Sequence, residues 1–582
     1  MNIQGLNLKR RGANTGNIVR DTLMNHGVED FDKYRDVSGV DLPFTDPKNL
    51  HNMDKAFARL EEAFDKDELI GILVDGDADG FASAAMLYRG IMDMNPDARL
   101  ELIVPEYKSH GLETMTEEIL WRSFDLVFVP DAGSNDIEQH KALHNSRIDV
   151  IVLDHHIINE ESLQTPAIVV NNQIALNGSV NKNFVGAGMV FMFMKYVAEN
   201  TSYKPDIELT DYLPLMAFGQ ITDVSDVAEQ EIRYYVQKGL ELFGTHKFLK
   251  IFNEFESSVH MVSFKIAPLV NAVARIGTLA ERKNLLLALS SELSTDTVEV
   301  TKRRKNYATG LMEPRVFNLN EYQIEYDSLA KVKKRQDDTV KKALNNIDYI
   351  SHKDDGIVIA KIPEDISKSI TGLIAGKIMS ITQAPVFVVK EHDGVLSGSM
   401  RCPTPFELRS WINSTGIATA SGHEQASGVE FKVADIQKLL TKTRSELDIA
   451  QDSIIVDGLY DEYNTSQAPV RLINDSIALF GGSVKEPELG FKSLPIKKAN
   501  INNYGNVVKF NFNGLNFVIF SGSELIDYVQ NQTGFNTKIN LDIIGVASKN
   551  DWGDKSPQVV VRDYAITTEK TALPERAEDF IF

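Results

Sequence analysis

The stretch Ile72–Ser83, ILVDGDADGFAS, decides how the rest of the chain is read. The apolar run Leu69–Val74 has the length and composition of a buried strand, and it stops at Asp75, Asp77 and Asp79, followed by Gly80 and small helix-favouring residues. Strand ends of open α/β sheets are where such folds place their chemistry. Three carboxylates in one turn call for a cation. Asp75, Asp77, Asp79 and Gly80 also fit the start of an EF-hand calcium loop, but Met86 stands where that loop needs a bidentate glutamate, and a strand-like run precedes it in place of a helix.

Downstream, ELIGILV, FASAAMLYRGIMDM and LELIVP alternate as strand, helix, strand, the pattern of a parallel sheet with crossover helices. FDLVFVP then delivers Asp131, and DVIVLDHH delivers Asp154, His155 and His156. In a parallel sheet these ends share one edge, so groups distant in sequence converge. Taken singly, Asp131 reads equally well as a helix N-cap, and either histidine as structural.

With 582 residues and a net charge of −21, the chain is long enough for several domains and too acidic overall for indiscriminate nucleic-acid binding, although a local basic channel remains compatible with that charge. The single cysteine, Cys402, excludes internal disulfides and cysteine-based zinc sites. The sequence has no apolar run near the ~20 residues of a membrane span and no signal-peptide core, so the expectation is a cytoplasmic protein without a membrane partner.

DGDADG, PDAG and LDHH, in this order, resemble motifs of the DHH phosphoesterases, and LMAFGQITDVSDV supplies a fourth acidic position at Asp223, with Asp226 the less favoured neighbour. APLVNAVARIG, with Asn271 and Arg275, resembles a segment of the RecJ single-strand-specific exonucleases within that superfamily. LSGSMR, with Ser399 and Arg401, and SGHEQASG, with Gly422, His423 and Gly428, resemble two motifs of the second RecJ lobe; Ser421 replaces a glycine of the second. Tyr107 occupies a position where the exonucleases carry arginine, so Lys108 or His110 is expected to substitute. GVASKNDWGDKSPQVVVRDY resembles the last strands of the oligonucleotide-binding fold appended to these enzymes.

The resemblance implies a parallel-sheet DHH catalytic lobe (66–290) after a helical extension (1–65), a connecting helix (291–348), a second α/β lobe, the DHH-associated domain (349–450), and an OB-like β-barrel (451–582). The highly charged runs KRRK, Lys302–Lys305, and KVKKR, Lys331–Arg335, fall in the expected connecting helix and read as solvated helix faces or a cleft-facing basic stripe. The implied activity is metal-dependent hydrolysis of single-stranded DNA from the 5′ end to mononucleotides, in repair or recombination. The alternatives are a phosphodiesterase of short oligonucleotides or cyclic dinucleotides, and a catalytically silent DNA-binding replication factor.

The oxygen and imidazole donors favour two Mn2+ or Mg2+ ions. Asp77, Asp79, Asp131, His155 and Asp223 are the implied ligands, with Asp75 either a ligand or an anchor. Asp154 is expected to orient an imidazole, His156 to face the scissile phosphate, and Arg275 and Asn271 to face the nucleic acid. Ser399 and Arg401 are expected to hold the terminal 5′-phosphate, with Gly422 and His423 beside them. Trp552, Phe510 and Phe512 are candidates to stack bases. The expected partners are single-stranded DNA and a helicase or single-strand-binding protein, with the chain itself a monomer.

Overall fold

The computed structural model describes the chain from Gly5 to Thr567, apart from residues 13, 36–41, 107–108, 175–179, 204–206, 253–256, 307–308, 404–405, 447–452, 482, 521, 533, 535–536 and 551–554.

The first lobe is built on a five-stranded parallel sheet, in the order Leu100–Ile103, Ile70–Leu73, Leu126–Pro130, Asp149–Asp154, Ile168–Asn171. Its strands are apolar on both faces because both faces are covered. Ile70, Ile72 and Val74 pack into the larger core with helices Ala78–Met94 and Gly186–Asn200, while Leu73, Val127 and Val129 point to the opposite side, under helices Thr116–Arg122 and Ile137–Asn145. The chain runs from Ile70–Leu73 to one neighbour and then crosses to Leu126–Pro130 on the other side. That reversal opens a crevice at the carboxyl ends of these two strands, where Asp75 and Asp131 stand.

Between the lobes the structure departs from the expected helix over 291–348. Val298–Lys305 and Met312–Leu319 form a separate two-stranded antiparallel sheet, so Lys302–Lys305 lie on a hairpin; only Glu321–Asn345 is helical. Asn320 and Gln323 start that helix with a reciprocal capping box. The Lys331–Arg335 run does lie on it.

The second lobe carries a six-stranded sheet, in the order Ala418–His423, Ala426–Lys432, Val395–Arg401, Val386–His392, Val358–Lys361, Asp348–Tyr349. Helix Thr371–Thr382 crosses over between the parallel pair Val358–Lys361 and Val386–His392. Gly372–Lys377 lies on this helix.

The C-terminal unit is a seven-stranded, mostly antiparallel sheet from Gly458–Tyr460 to Asn502–Tyr504, which curls enough for Glu488–Lys497 to touch Val507–Phe512. Phe510 is buried there, stacked on Phe517 with ring centroids 5.0 Å apart, and Phe512 packs partly buried against the same core. Phe510 thus fills the core and offers no face to a base. Trp552 lies outside the described residues. The expected helical extension 1–65 also differs: it opens with strand Leu8–Arg10, paired in parallel with Ile454–Val456. Among the described residues one helix, Val259–Ile276, is long and apolar enough to cross a membrane, and half of it is buried in the fold.

Candidate active site

The sheet edge assembles its acids through local backbone geometry. Asp77 caps helix Ala78–Met94, its Oδ1 accepting the Gly80 N–H at 3.1 Å. A Cβ on Gly80 would lie 2.8 Å from the Asp75 carbonyl oxygen, so glycine is needed for the helix to start this close to the strand end. Asp79 turns inward, and the first N–H groups of helix Gly186–Asn200 hold it: Oδ2 accepts from Gly186 at 2.7 Å and Oδ1 from Ala187 at 3.0 Å. Asp131 sits in the left-handed region at φ 66, where aspartate is tolerated, and Gly186 has no Cβ because one would fall 2.3 Å from Asp131 Oδ1.

His155 Nε2 lies 3.2 Å from Asp131 Oδ1 and 3.7 Å from Asp223 Oδ2, which ties the sheet edge to the end of helix Leu213–Thr222. Buried Asp154 accepts the backbone N–H groups of His155 (2.7 Å) and His156 (3.2 Å) and pairs with His156 Nδ1 (2.8 Å), leaving Nε2 of that ring turned away from it. Its other oxygen accepts from the Ser134 N–H at 3.1 Å, while Asn171 donates to Ser134 Oγ and to the His156 carbonyl. Asp226 accepts from Ser483 Oγ at 2.6 Å and stands outside the acidic groups at this edge.

Ligand atoms of Asp75, Asp77 and Asp131 lie within 4.8 Å of one another, as do those of Asp79, His155 and Asp223, and those of Asp131, Asp154, His155 and His156. Every acid and imidazole singled out as a metal-site candidate is thus present in these groups, Asp75 included. The electrostatics follow from this crowding. Burial, then neighbouring carboxylates, raise Asp79 and Asp131 well above the ordinary carboxylate range. The same causes push Asp223 up to about 7 and raise Asp75. Burial lowers His155 to about 4, so its ring is neutral at pH 7, as a ligand must be. For Asp154, the His156 hydrogen bond and the charges of both histidines outweigh burial and hold the carboxyl far down; for His156, Asp154 outweighs burial and raises the ring. Buried oxygen donors with a neutral imidazole and no thiolate fit a hard divalent cation such as Mn2+ or Mg2+.

His110 emerges as more than a substitute for arginine. Its Nδ1 pairs with Asp75 Oδ1 at 2.9 Å, and its ring meets that of His156 edge-on at 5.0 Å. The hydrogen bond it donates to Asp75 outweighs burial and lifts it to about 9. Tyr107 and Lys108 lie outside the described residues.

Across the cleft, Asn271 and Arg275 on helix Ala267–Ile276 line a cavity of about 310 Å³ together with Thr222, Val224, Lys333 and Lys377. Burial depresses Arg275 while the field of Asp77 opposes this, and burial followed by the charge of Arg275 depresses Arg401, so the Arg275 guanidinium stands within electrostatic reach of both walls. Ser399 Oγ lies 2.9 Å from Thr371 Oγ1 at the start of helix Thr371–Thr382, and a Cβ on Gly372 would lie 2.7 Å from an Arg401 Nη atom. Lys368 donates to Ser397 Oγ at 2.9 Å on the same strand. Thr371, Gly372 and Lys368 were not expected beside Ser399 and Arg401; their place there is a product of the crossover.

Strand register aligns Ser399, Gly428 and Ser421 across three strands, and Arg401, Ala426 and His423 two residues on. Gly422, at φ 119, and His423 are exposed at the end of this ladder. Ser421 is exposed as well, so its side chain is accommodated where a glycine was expected.

Residues 69–220 match the DHH family, N-terminal domain. YorK from the SPβ prophage of Bacillus subtilis strain 168, provisionally named a single-strand DNA-specific exonuclease, is 27% identical over 574 residues, spanning 94% of this chain and 96% of that protein. The single-stranded-DNA-specific exonuclease RecJ of the same organism is 24% identical over 561 residues, spanning 90% of this chain and 65% of that protein. Among solved structures, RecJ from Thermus thermophilus in complex with Mn2+ superposes with a TM-score of 0.67 at 20% identity, covering 94% of this chain and 75% of that one. Residues 69–220, which carry the sheet and its acidic edge, are thus similar to the DHH family's N-terminal domain, and the fold as a whole is shared with a RecJ structure. Over nearly its whole length the chain is similar to RecJ-like proteins.

Proposed function

We propose that the chain hydrolyses single-stranded DNA from the 5′ end, releasing 5′-mononucleotides with the help of two divalent cations, in DNA repair or recombination. The observation that carries this reading is the pairing of two unlike walls: an edge of buried and half-buried acids with two histidines on the first lobe, and Arg275, Ser399, Arg401 and the start of helix Thr371–Thr382 facing it. The names of the RecJ relatives supply the substrate class.

Asp75, Asp77 and Asp131 would hold one cation, and Asp79, His155 and Asp223 the other. Bound there, the ions supply neutralisation of the phosphate charge and an ionised water at neutral pH. The protein's own groups do the rest. Asp154 fixes the His156 ring and keeps it basic, so that its outward nitrogen can carry a proton towards the phosphate or the leaving oxygen. Arg275 orients the scissile phosphate by charge-assisted hydrogen bonds. Ser399, Thr371 and Arg401 receive the terminal phosphate against a helix N-terminus, which gives the reaction its polarity.

Digestion of 5′- and 3′-end-labelled single strands in Mn2+ or Mg2+ tests the reading. Label leaves first from the 5′ end as a mononucleotide, and chelation stops the reaction. Release from the 3′ end overturns the polarity; hydrolysis confined to dinucleotides replaces the reading with a small-substrate phosphodiesterase.

A further inference from the structure

The hairpin Val298–Lys305/Met312–Leu319 is the part of the described chain that the catalytic reading leaves without a task. Among the described residues it is a two-stranded sheet with no third strand; none of its sixteen strand residues is buried, and eleven are exposed. A lone hairpin is marginal in water, and this one, tied to the connecting helix through Lys302, leaves most of its surface free to meet something else. Val298, Leu311, Met312 and Val316 are each more than half exposed. The hairpin carries five cations, Lys302, Arg303, Arg304, Lys305 and Arg315, against two carboxylates, Glu299 and Glu313, in a protein whose net charge is −21.

Register places Lys302, Arg304 and Arg315, with Glu313 opposite Arg304, on one face with Phe317, whose ring lies 5.7 Å from Lys302 Nζ and 5.9 Å from the Arg304 guanidinium carbon. Lys302 pairs with Asp327 on the connecting helix and so anchors the hairpin to it. Among the described residues, none of Arg303, Arg304, Lys305 and Arg315 has a carboxylate within 4.0 Å. Asp327 precedes Lys333, which lines the cleft cavity, by six residues, roughly 9 Å of helix. The cations therefore stand at the end of a rail that leads from the cleft.

We propose that this hairpin is a β-ribbon arm that binds the phosphate backbone of the DNA strand outside the catalytic cleft, holding long substrates while the end is cut. The inference rests on the proposed exonuclease reading and adds a binding surface remote from the chemistry. A polyanion is the occupant because the charge is complementary and concentrated: four cations without carboxylate partners on an otherwise acidic chain can displace the counterions of a nucleic-acid strand. The exposed apolar residues between them suit sugar and base surfaces.

The test is the triple variant Arg304→Gln, Lys305→Gln, Arg315→Gln in the full chain, with its affinity for a fluorescent 30-mer single strand measured by anisotropy in chelator over a range of salt. Wild-type and variant turnover of a 5′-phosphorylated dinucleotide are compared in Mn2+. The expected result is weaker 30-mer binding, a salt slope smaller by about 2 at roughly 0.7 for each phosphate no longer neutralised, and unchanged dinucleotide hydrolysis, which also certifies the fold. Unchanged affinity and slope overturn the arm while leaving the exonuclease reading intact. A wild-type chain that cuts no single strand overturns the exonuclease reading, yet the anisotropy still judges the arm. Equal losses on the dinucleotide and the 30-mer overturn the arm in favour of a structural role.

Discussion

The two walls of the cleft handle charge in opposite ways. On the first lobe, Asp79, Asp131 and Asp154 are almost wholly buried, and the cost of crowding them is met by helix N–H groups, by histidines and by a requirement for cations. On the second lobe, Ser399, Arg401 and His423 sit half-buried or exposed on an open antiparallel ladder, with cationic and hydroxyl groups that keep contact with water. The first wall is buried, and its crowded carboxylates repel one another until neutralised. The second is a complementary surface for an anion that must arrive and leave.

The most severe way to break this contrast is Asp131→Asn, which keeps the left-handed backbone and removes one charge. Hydrolysis should fall by about 10³-fold or more, with thermal stability equal to or above that of wild type. Activity within tenfold of wild type would mean that the buried wall is not the catalytic one.

His246 sharpens the comparison by showing burial without acidic crowding. Its Nε2 lies 2.9 Å from the Leu289 carbonyl, its Nδ1 accepts from the Phe248 and Leu249 N–H groups, and burial chiefly lowers it to about 4 from 6.5. Because the folded value is depressed, the unfolded chain takes up the proton first. The stabilisation is complete above about pH 6.5 and is lost as the pH falls towards 4, at most about 3 kcal/mol in all. Urea unfolding at pH 7 and pH 5 checks this; a His246→Gln variant should be less stable at pH 7 and lose less on acidification.

Cations should distinguish the walls next. Saturating Mn2+, a hundredfold above its Kd, should stabilise the protein by about 2.7 kcal/mol, read as a rise in Tm that Arg401→Gln retains and Asp131→Asn diminishes. The smallest expected effect is on the open wall itself. Arg401→Gln should lower kcat/KM on 5′-phosphorylated strands by roughly 10- to 100-fold, the value of a charged hydrogen bond, with little change on 5′-hydroxyl strands. Equal losses on both would assign Arg401 to the reaction and not to the end.

The buried wall was legible in the sequence because its signals are local. Four- to six-residue apolar strands ending in Asp75, Asp131 and Asp154 state both the sheet and the edge at which the acids meet. The open wall was half legible: Ser399 and Arg401 stand in a motif, whereas Thr371 and Gly372 join them only through a crossover and a strand register that no local pattern encodes. The hairpin was misread as helix because a run of Lys and Arg obscures the alternation of Val298 and Val300, and charged residues carry little periodic information on a fully exposed element. His110 had no recognisable neighbours, and its importance comes from Asp75 lying within hydrogen-bonding reach.

The parallel pairing of Leu8–Arg10 with Ile454–Val456 also bears on how the protein is made. Leu8–Arg10 has its partner 446 residues later, a delay of roughly 20–90 s at ordinary rates of translation. The catalytic lobe can fold during that interval, while strand Leu8–Arg10 waits unpaired until residues 454–456 have emerged. A ribosome that stalls before residue 454 would leave a chain with an acidic edge already formed and that strand still unfastened.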